Sequence, residues 1–198
     1  MKEDILEQLV EDYYVSKPGW FVKHNVKYRP CKKHPDYNPR QDSVHSDIDI
    51  IAVDKISGNV EVVSCKSWYD GFRIKDMLIW IKNKDIRRVR ELVSDRWKES
   101  FLKTIKKETG KKDFTYVIAV TKLSQEEEKS KEEKFKLEQE ITKAFKAKNS
   151  NVKLKIITLE QIVDETKKRI SEKETPYPES TDIGRIVQLF MAAHILKP

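Results

Sequence analysis

Ile5, Leu6, Leu9, Val10 and Tyr13 fall on one stripe at helical spacing and predict an amphipathic helix over residues 3–15. Lys17, Pro18 and Gly19 stop it. WFVKHNVKY, residues 20–28, alternates as a strand does. Residues 30–45, PCKKHPDYNPRQDSVH, are polar and hold three prolines. A loop of that length is unusual inside a domain and points to function or mobility. DIDIIAVD (47–54) and NVEVVSCKSW (59–68) predict two strands of a hairpin around a Ser-Gly-Asn turn. A helical region follows over 74–107, carrying Met77, Leu78, Ile81, Val89, Leu92 and Val93, with a break near Ser94-Asp95. The apolar centre of DFTYVIAVTK (113–122) predicts a strand buried on both faces. Residues 124–148 form a charged helix with a thin stripe of Phe135, Leu137, Ile141, Ala144 and Phe145. VKLKIITL (152–159) alternates as a strand with one wetter face, and LEQIVDETKKRI (159–170) is a helix. SEKETPYPES (171–180) is a linker. The last segment, 181–196, is an amphipathic helix with Thr181 or Asp182 as its cap. No internal repeat is evident. The order predicts an α/β fold with a mixed sheet flanked by helices: one domain over 1–170, then a linker and C-terminal helix over 171–198.

The hairpin poses a chemical question. Strand side chains alternate, so Asp47 and Asp49 share one face, and Ser64 and Lys66 share one face of the next strand. With Lys55-Ile56-Ser57-Gly58 as the loop, Asp54 pairs with Asn59. Asp49 then lies opposite Ser64, and Asp47 opposite Lys66. Opposed β-carbons stand about 5 Å apart, so two carboxylates, an ammonium and a hydroxyl would meet in one patch. A slip of one residue would break it. The plain alternative is an exposed Asp47–Lys66 ion pair. Ile48, Ile50, Val60, Val62 and Val63 argue against it, because they mark strands covered on much of both faces. Charge in such strands is costly unless matched to a task. Carboxylates hold Mg²⁺, the metal acidifies bound water, and a lysine orients that water or stabilises building charge. The pattern therefore suits divalent-metal phosphoryl chemistry.

Composition changes this picture in two ways. The chain has 198 residues, enough for a real core, and a formal net charge of +7 that favours a polyanionic partner, nucleic acid before membrane. Cys31 and Cys65 lack CxxC or CxH spacing, which argues against a zinc site or disulfide framework and suggests a reduced, cytoplasmic protein. The acidic, amphipathic start MKEDILEQLVEDYY is unlike a signal peptide, and the longest apolar runs fall far short of a membrane span.

SDIDIIAVD followed by VEVVSCKSW resembles the core of the PD-(D/E)XK nuclease superfamily, with its restriction endonucleases, archaeal Holliday-junction resolvases and Mrr-type enzymes. The likeness covers roughly residues 3–122. It implies a restriction-endonuclease-like fold with an αβββαβ core, here with a helical C-terminal extension, and a Mg²⁺- or Mn²⁺-dependent DNA endonuclease. Asp49 matches the motif's first aspartate and Lys66 its lysine; the Cys-Lys pair with Trp68 is especially similar to Mrr-type sequences. In relatives the first helix carries a glutamate that completes the metal shell. Of Glu7 and Glu11, which share a side of that helix, Glu7 is the better match by its spacing to Gly19. The residue between serine and lysine, Cys65, would contribute its backbone carbonyl as a ligand, while its thiol packs in the core.

Ser64 departs from the pattern, standing where the motif has Glu or Asp. A neutral hydroxyl is a poor Mg²⁺ donor. Either Asp47, helped by Glu7, compensates, or the fold survives as a DNA-binding module. Glu61 is no substitute, since alternation puts it on the other face. Lys75, Lys82, Lys84, Arg87, Arg88 and Arg90 follow the motif, with Trp68, Tyr69, Phe72 and Trp80 among them. Lys75, Lys82, Arg87 and Arg88 are candidate DNA phosphate contacts, against a merely solvated helix face. Tyr69-Asp70-Gly71-Phe72 either shapes the substrate cleft or feeds the core. The long loop's cations are placed to embrace a duplex, and His34 or His45 is an alternative base, though loop histidines are usually incidental. Leu189, Phe190 and Ile195 on the last helix form a homodimer contact or cap the domain.

Overall fold

Leu6, Val10, Tyr13 and Tyr14 are the buried stripe of helix α1 (Ile5–Val15). The structure, a computed structural model, describes residues 5–124, 131–172 and 181–196. Five strands follow α1: β1 (Trp20–Tyr28), β2 (Ser46–Asp54), β3 (Val60–Lys66), β4 (Phe114–Val120) and β5 (Val152–Thr158). They form one sheet in the order β1-β2-β3-β4-β5, antiparallel between β1, β2 and β3 and parallel from β3 to β5. The expected α/β architecture with a mixed sheet between helices is the one observed. No helix among the described residues is long and apolar enough to cross a membrane.

Each face of the sheet has its own apolar layer. On one face Ile50, Ala52, Val63, Val117, Ala119 and Ile157 meet Leu6, Val10 and Tyr14 of α1 and Ile162 of α7 (Leu159–Ser171). The other face meets the long run between β3 and β4 and the helix between β4 and β5. That run is three helices, α3 (Ile74–Lys82), α4 (Ile86–Val93) and α5 (Asp95–Thr109), where the sequence predicted a single break. The break at Ser94 is present; the further one at residues 83–85 includes Lys84 at φ 52°. Trp97, Phe101 and Ile105 of α5 and Leu137, Ile141 and Phe145 of α6 (Lys131–Lys146) pack here against Val62, Tyr116 and Ile118. β4 is buried on both faces, as its apolar centre predicts, because both layers use it. Thr181 caps α8 (Asp182–Ala192) by accepting from the Gly184 N–H at 3.1 Å, and α8 packs against α7 and α1. The segment read as a linker lies, over residues 173–180, outside the described residues.

The 30–45 loop is better anchored than its composition implies. It contains a short helix, α2 (Pro39–Asp42), and Asp42 is fully buried against α5. Its carboxylate accepts from Arg96 Nε at 2.6 Å, Trp97 Nε1 at 2.8 Å and the Asn38 N–H at 2.7 Å.

Candidate functional site

The β2–β3 hairpin closes as the sequence predicts. The Asp54 N–H donates to the Asn59 carbonyl at 2.9 Å, and the register runs Val53–Val60, Ala52–Glu61, Ile51–Val62, Ile50–Val63. That is the expected register, but the ladder stops there. Asp49–Ser64 and Asp47–Lys66 are not ladder pairs; on its other edge β3 stays paired, Ser64, Cys65 and Lys66 with Ile118, Ala119 and Val120 of β4. In place of the next rung, the Cys65 N–H donates to the Asp49 carboxylate at 2.6 Å.

The cause lies in the neighbouring strand pair. β1 and β2 pair on both sides of Asn25 and Asp49 but not at them, and Asn25 sits at φ 52°. Beyond this point Ile48 and Val26 belong to the α5 side, whereas Ile50 and Ala52 belong to the α1 side. Strict alternation would put residues 48 and 50 on one face. One extra residue in each strand therefore turns the sheet over locally, as a bulge does, and re-aims Asp49.

Asp49 opens into a cavity of about 350 Å³ between this end of the sheet and helices α4 and α5. Asp47, Ser64 and Lys66 line it from the strands, and His45 and Ser46 from the end of the long loop. Arg87, Arg88, Arg90 and Glu91 line it from α4. The Asp85 side chain caps that helix by accepting from the Arg87 N–H at 2.9 Å. Val89 then leaves helical geometry (φ −140°, ψ 46°) inside α4, ahead of Arg90 and Glu91. Arg88 lies 5.4 Å from the Trp80 ring and Arg90 4.7 Å from Trp97, so both guanidiniums are held by aromatic faces.

Glu91 is the residue the sequence reading missed. It accepts from the Tyr116 hydroxyl at 2.7 Å and faces the same cavity as Asp49. Its signal is faint: one acid in IRRVRELV, a segment dominated by three arginines. Burial pushes the Asp49 carboxyl above the ordinary aspartate range. Lys66 and the Cys65 N–H pull it down, Glu91 and Asp47 push it up again, and the net direction is upward. Burial is the leading cause, and Lys66 is the first of the groups that oppose it.

The remaining candidates lie elsewhere. α1 packs on the opposite face of the sheet, and Glu7 is not among the cavity's lining residues. The Cys65 thiol packs toward the α1 layer, as its position in the strand implies. Glu61 points to that face too, where it accepts from the Tyr14 hydroxyl and pairs with Lys155 at 3.3 Å. Lys75 stands 4.0 Å from Glu133 of α6, and neither it nor Lys82 lines the cavity. His34 is drawn to Glu99, 3.6 Å away.

Among the described residues no group of three or more His, Cys, Asp or Glu side chains could hold a metal unaided. Magnesium asks for less: one or two carboxylates, with waters and substrate phosphate completing its octahedron. Asp49 and Asp47 meet that demand as hard oxygen donors lining one cavity.

No family model matches the chain, and no curated protein matches it. A solved structure, that of AF1548, a protein of unknown function, is similar over 86% of this chain and 71% of its own, with 15% identity and a TM-score of 0.39. A likeness of that grade carries no argument.

Proposed function

We propose that this protein is a Mg²⁺- or Mn²⁺-dependent DNA endonuclease with a restriction-endonuclease-like fold, a divergent member of the PD-(D/E)XK superfamily. The observation that carries the reading is the meeting of Asp47, Asp49 and Lys66 in one polar cavity walled by Arg87 and Arg88. Asp49 and Asp47 would hold the ion, with the Cys65 carbonyl the further ligand the resemblance implies. A bound divalent ion lowers the pKa of its water and stabilises phosphate charge. Lys66 brings a donor and a positive charge to where the phosphate must lie, so it orients the attacking water and offsets building charge. Arg87 and Arg88 fix the backbone of the DNA without reading its sequence. Glu91 gives the cavity the extra carboxylate that Ser64 withholds.

Incubation with plasmid, linear, single-stranded and branched DNA, with Mg²⁺, Mn²⁺ or EDTA, tests the reading. Cleavage is expected with metal and not with EDTA, and a fall of about 10²–10³-fold is expected in both Asp49→Ala and Lys66→Ala. Cleavage that survives both substitutions overturns the mechanism. A second reading, a DNA-binding module on the same fold, is favoured by Ser64 and by the absence, among the described residues, of three acids placed to hold one metal ion. It predicts no divalent binding by calorimetry and salt-sensitive DNA binding without cutting.

A further inference from the structure

Tyr69 is the most exposed of the large apolar and aromatic side chains among the described residues, at 93%. A ring that exposed buries almost no apolar surface and so adds little to the fold. Its backbone, by contrast, is tightly fixed. The turn it occupies follows Lys66 directly and closes by the Gly71 N–H donating to the Trp68 carbonyl at 3.2 Å. Gly71 sits at φ +89°, where a β-carbon would come within 3.1 Å of the Leu123 and Ser124 backbone. On its far side, the Phe72 N–H donates to the Lys122 carbonyl at 2.8 Å, and the Ser124 N–H to the Phe72 carbonyl at 3.1 Å. Below the turn, Trp68 stacks on Phe72 (5.5 Å) and meets Trp80 edge-on (5.6 Å). Trp80 in turn carries Arg88, which lines the cavity. Tyr69 is therefore a bare aromatic face on a rigid mount, joined by packed rings to a cation of the candidate site.

A second cation stands beside it. The Lys122 ammonium lies 5.9 Å from the Tyr69 ring, on an exposed residue just past the end of β4. β3 and β4 are parallel, so both residues emerge at the sheet end that holds Asp49 and Lys66. Asp70 and Asp76 are the nearby acids in sequence, and Arg73 adds a further exposed cation.

We propose that Tyr69 and Lys122 form a subsite for an unpaired nucleotide, the base stacked on the Tyr69 ring and its phosphate paired with Lys122. This rests on the reading of the neighbouring cavity as a nucleic-acid site, and it adds the substrate class: DNA with a single-stranded segment next to the point of attack. A base inside a duplex has both faces covered by its neighbours and cannot lie on a protein ring. An unpaired base can, and aromatic side chains are the usual platforms for it.

Fluorescence anisotropy with the full chain in EDTA separates this from the nuclease reading, because no cutting is involved. Tyr69→Ala should weaken binding of a labelled single-stranded oligonucleotide about ten-fold and of the blunt duplex by less than about two-fold. Tyr69→Phe should keep single-strand affinity, since it keeps the ring, and Tyr69→Ala should leave the melting temperature unchanged. Equal loss on both DNAs, no loss on the single strand, or no binding to either overturns the subsite. Selective loss in Tyr69→Ala, alongside metal-dependent cleavage that survives Asp49→Ala and Lys66→Ala, would sustain the subsite and sink the nuclease mechanism alone.

Discussion

Asp42 carries a charge where no solvent reaches: its side chain is 0% exposed, and its partner Arg96 only 13%. Burial raises its carboxyl, but the Asn38 N–H, Arg96 and Trp97 outweigh that and hold it below the ordinary aspartate range. Nothing in the sequence singled it out, because a buried aspartate in a polar, proline-rich stretch looks like any loop acid until Trp97 and Arg96 fold over it. Removing one partner of such a pair leaves the other buried and unmatched. Asp42→Ala should therefore lower unfolding free energy by about 3–5 kcal/mol in urea melts at neutral pH. Because the folded-state pKa is depressed, the ionic contribution is present above the unfolded value of about 3.9 and is lost as pH falls through the folded one. The gap between wild type and Asp42→Asn should thus be full at pH 7 and shrink in melts below about pH 4. A gap that widens in acid would show that the charge does not stabilise the loop.

Helix α4 is the element on which the candidate site depends and the one the sequence described least well. Its apolar residues, Val89 and Leu92, are buried as the periodicity implies. The turn at 83–85 and the non-helical Val89 are invisible to periodicity, which reads the spacing of apolar residues and not backbone geometry; beside them Arg88 lies over Trp80 and Arg90 over Trp97. The same contrast holds in the sheet. The hairpin register was legible, since a Ser-Gly-Asn turn between two apolar strands leaves little freedom. The interruption at Asn25 and Asp49 was not, because it needs both strands at once: neither VKHNVKY nor SDIDIIA shows an extra residue alone. Asp49 and Lys66 could therefore be picked out by motif, while the way they reach a common cavity, and Glu91 within it, could not. The cap at Asp85 offers a test confined to this helix. Asp85→Ala removes the acceptor for the Arg87 N–H and should cost about 1 kcal/mol of stability. It should also weaken DNA binding, since the residues freed to fray are the first turn that presents Arg87 and Arg88. Asp85→Ser should restore both. DNA affinity unchanged beside a lowered melting temperature would remove α4 from the interface.

At the scale of the molecule, the proposed function asks which of the cations behind the net charge of +7 would meet a polyanion. Thirty-three acidic residues lie among forty basic ones, so total charge alone locates nothing. Geometry does. Arg87 and Arg88 are exposed, line the cavity and sit at the sheet end where Asp49 and Lys66 emerge. Lys75, near Glu133, and Lys82 are outside it, although the sequence grouped all four. Each phosphate neutralised by a protein cation steepens the fall of log affinity with log salt by about 0.9 on duplex DNA. The double variant Arg87→Ala/Arg88→Ala should flatten that slope by roughly two in anisotropy titrations across a range of KCl concentrations. Lys75→Ala/Lys82→Ala should leave it unchanged. The reverse result would put the DNA along α3 and away from the cavity, and with it would go the physical link between the basic helix and Asp49.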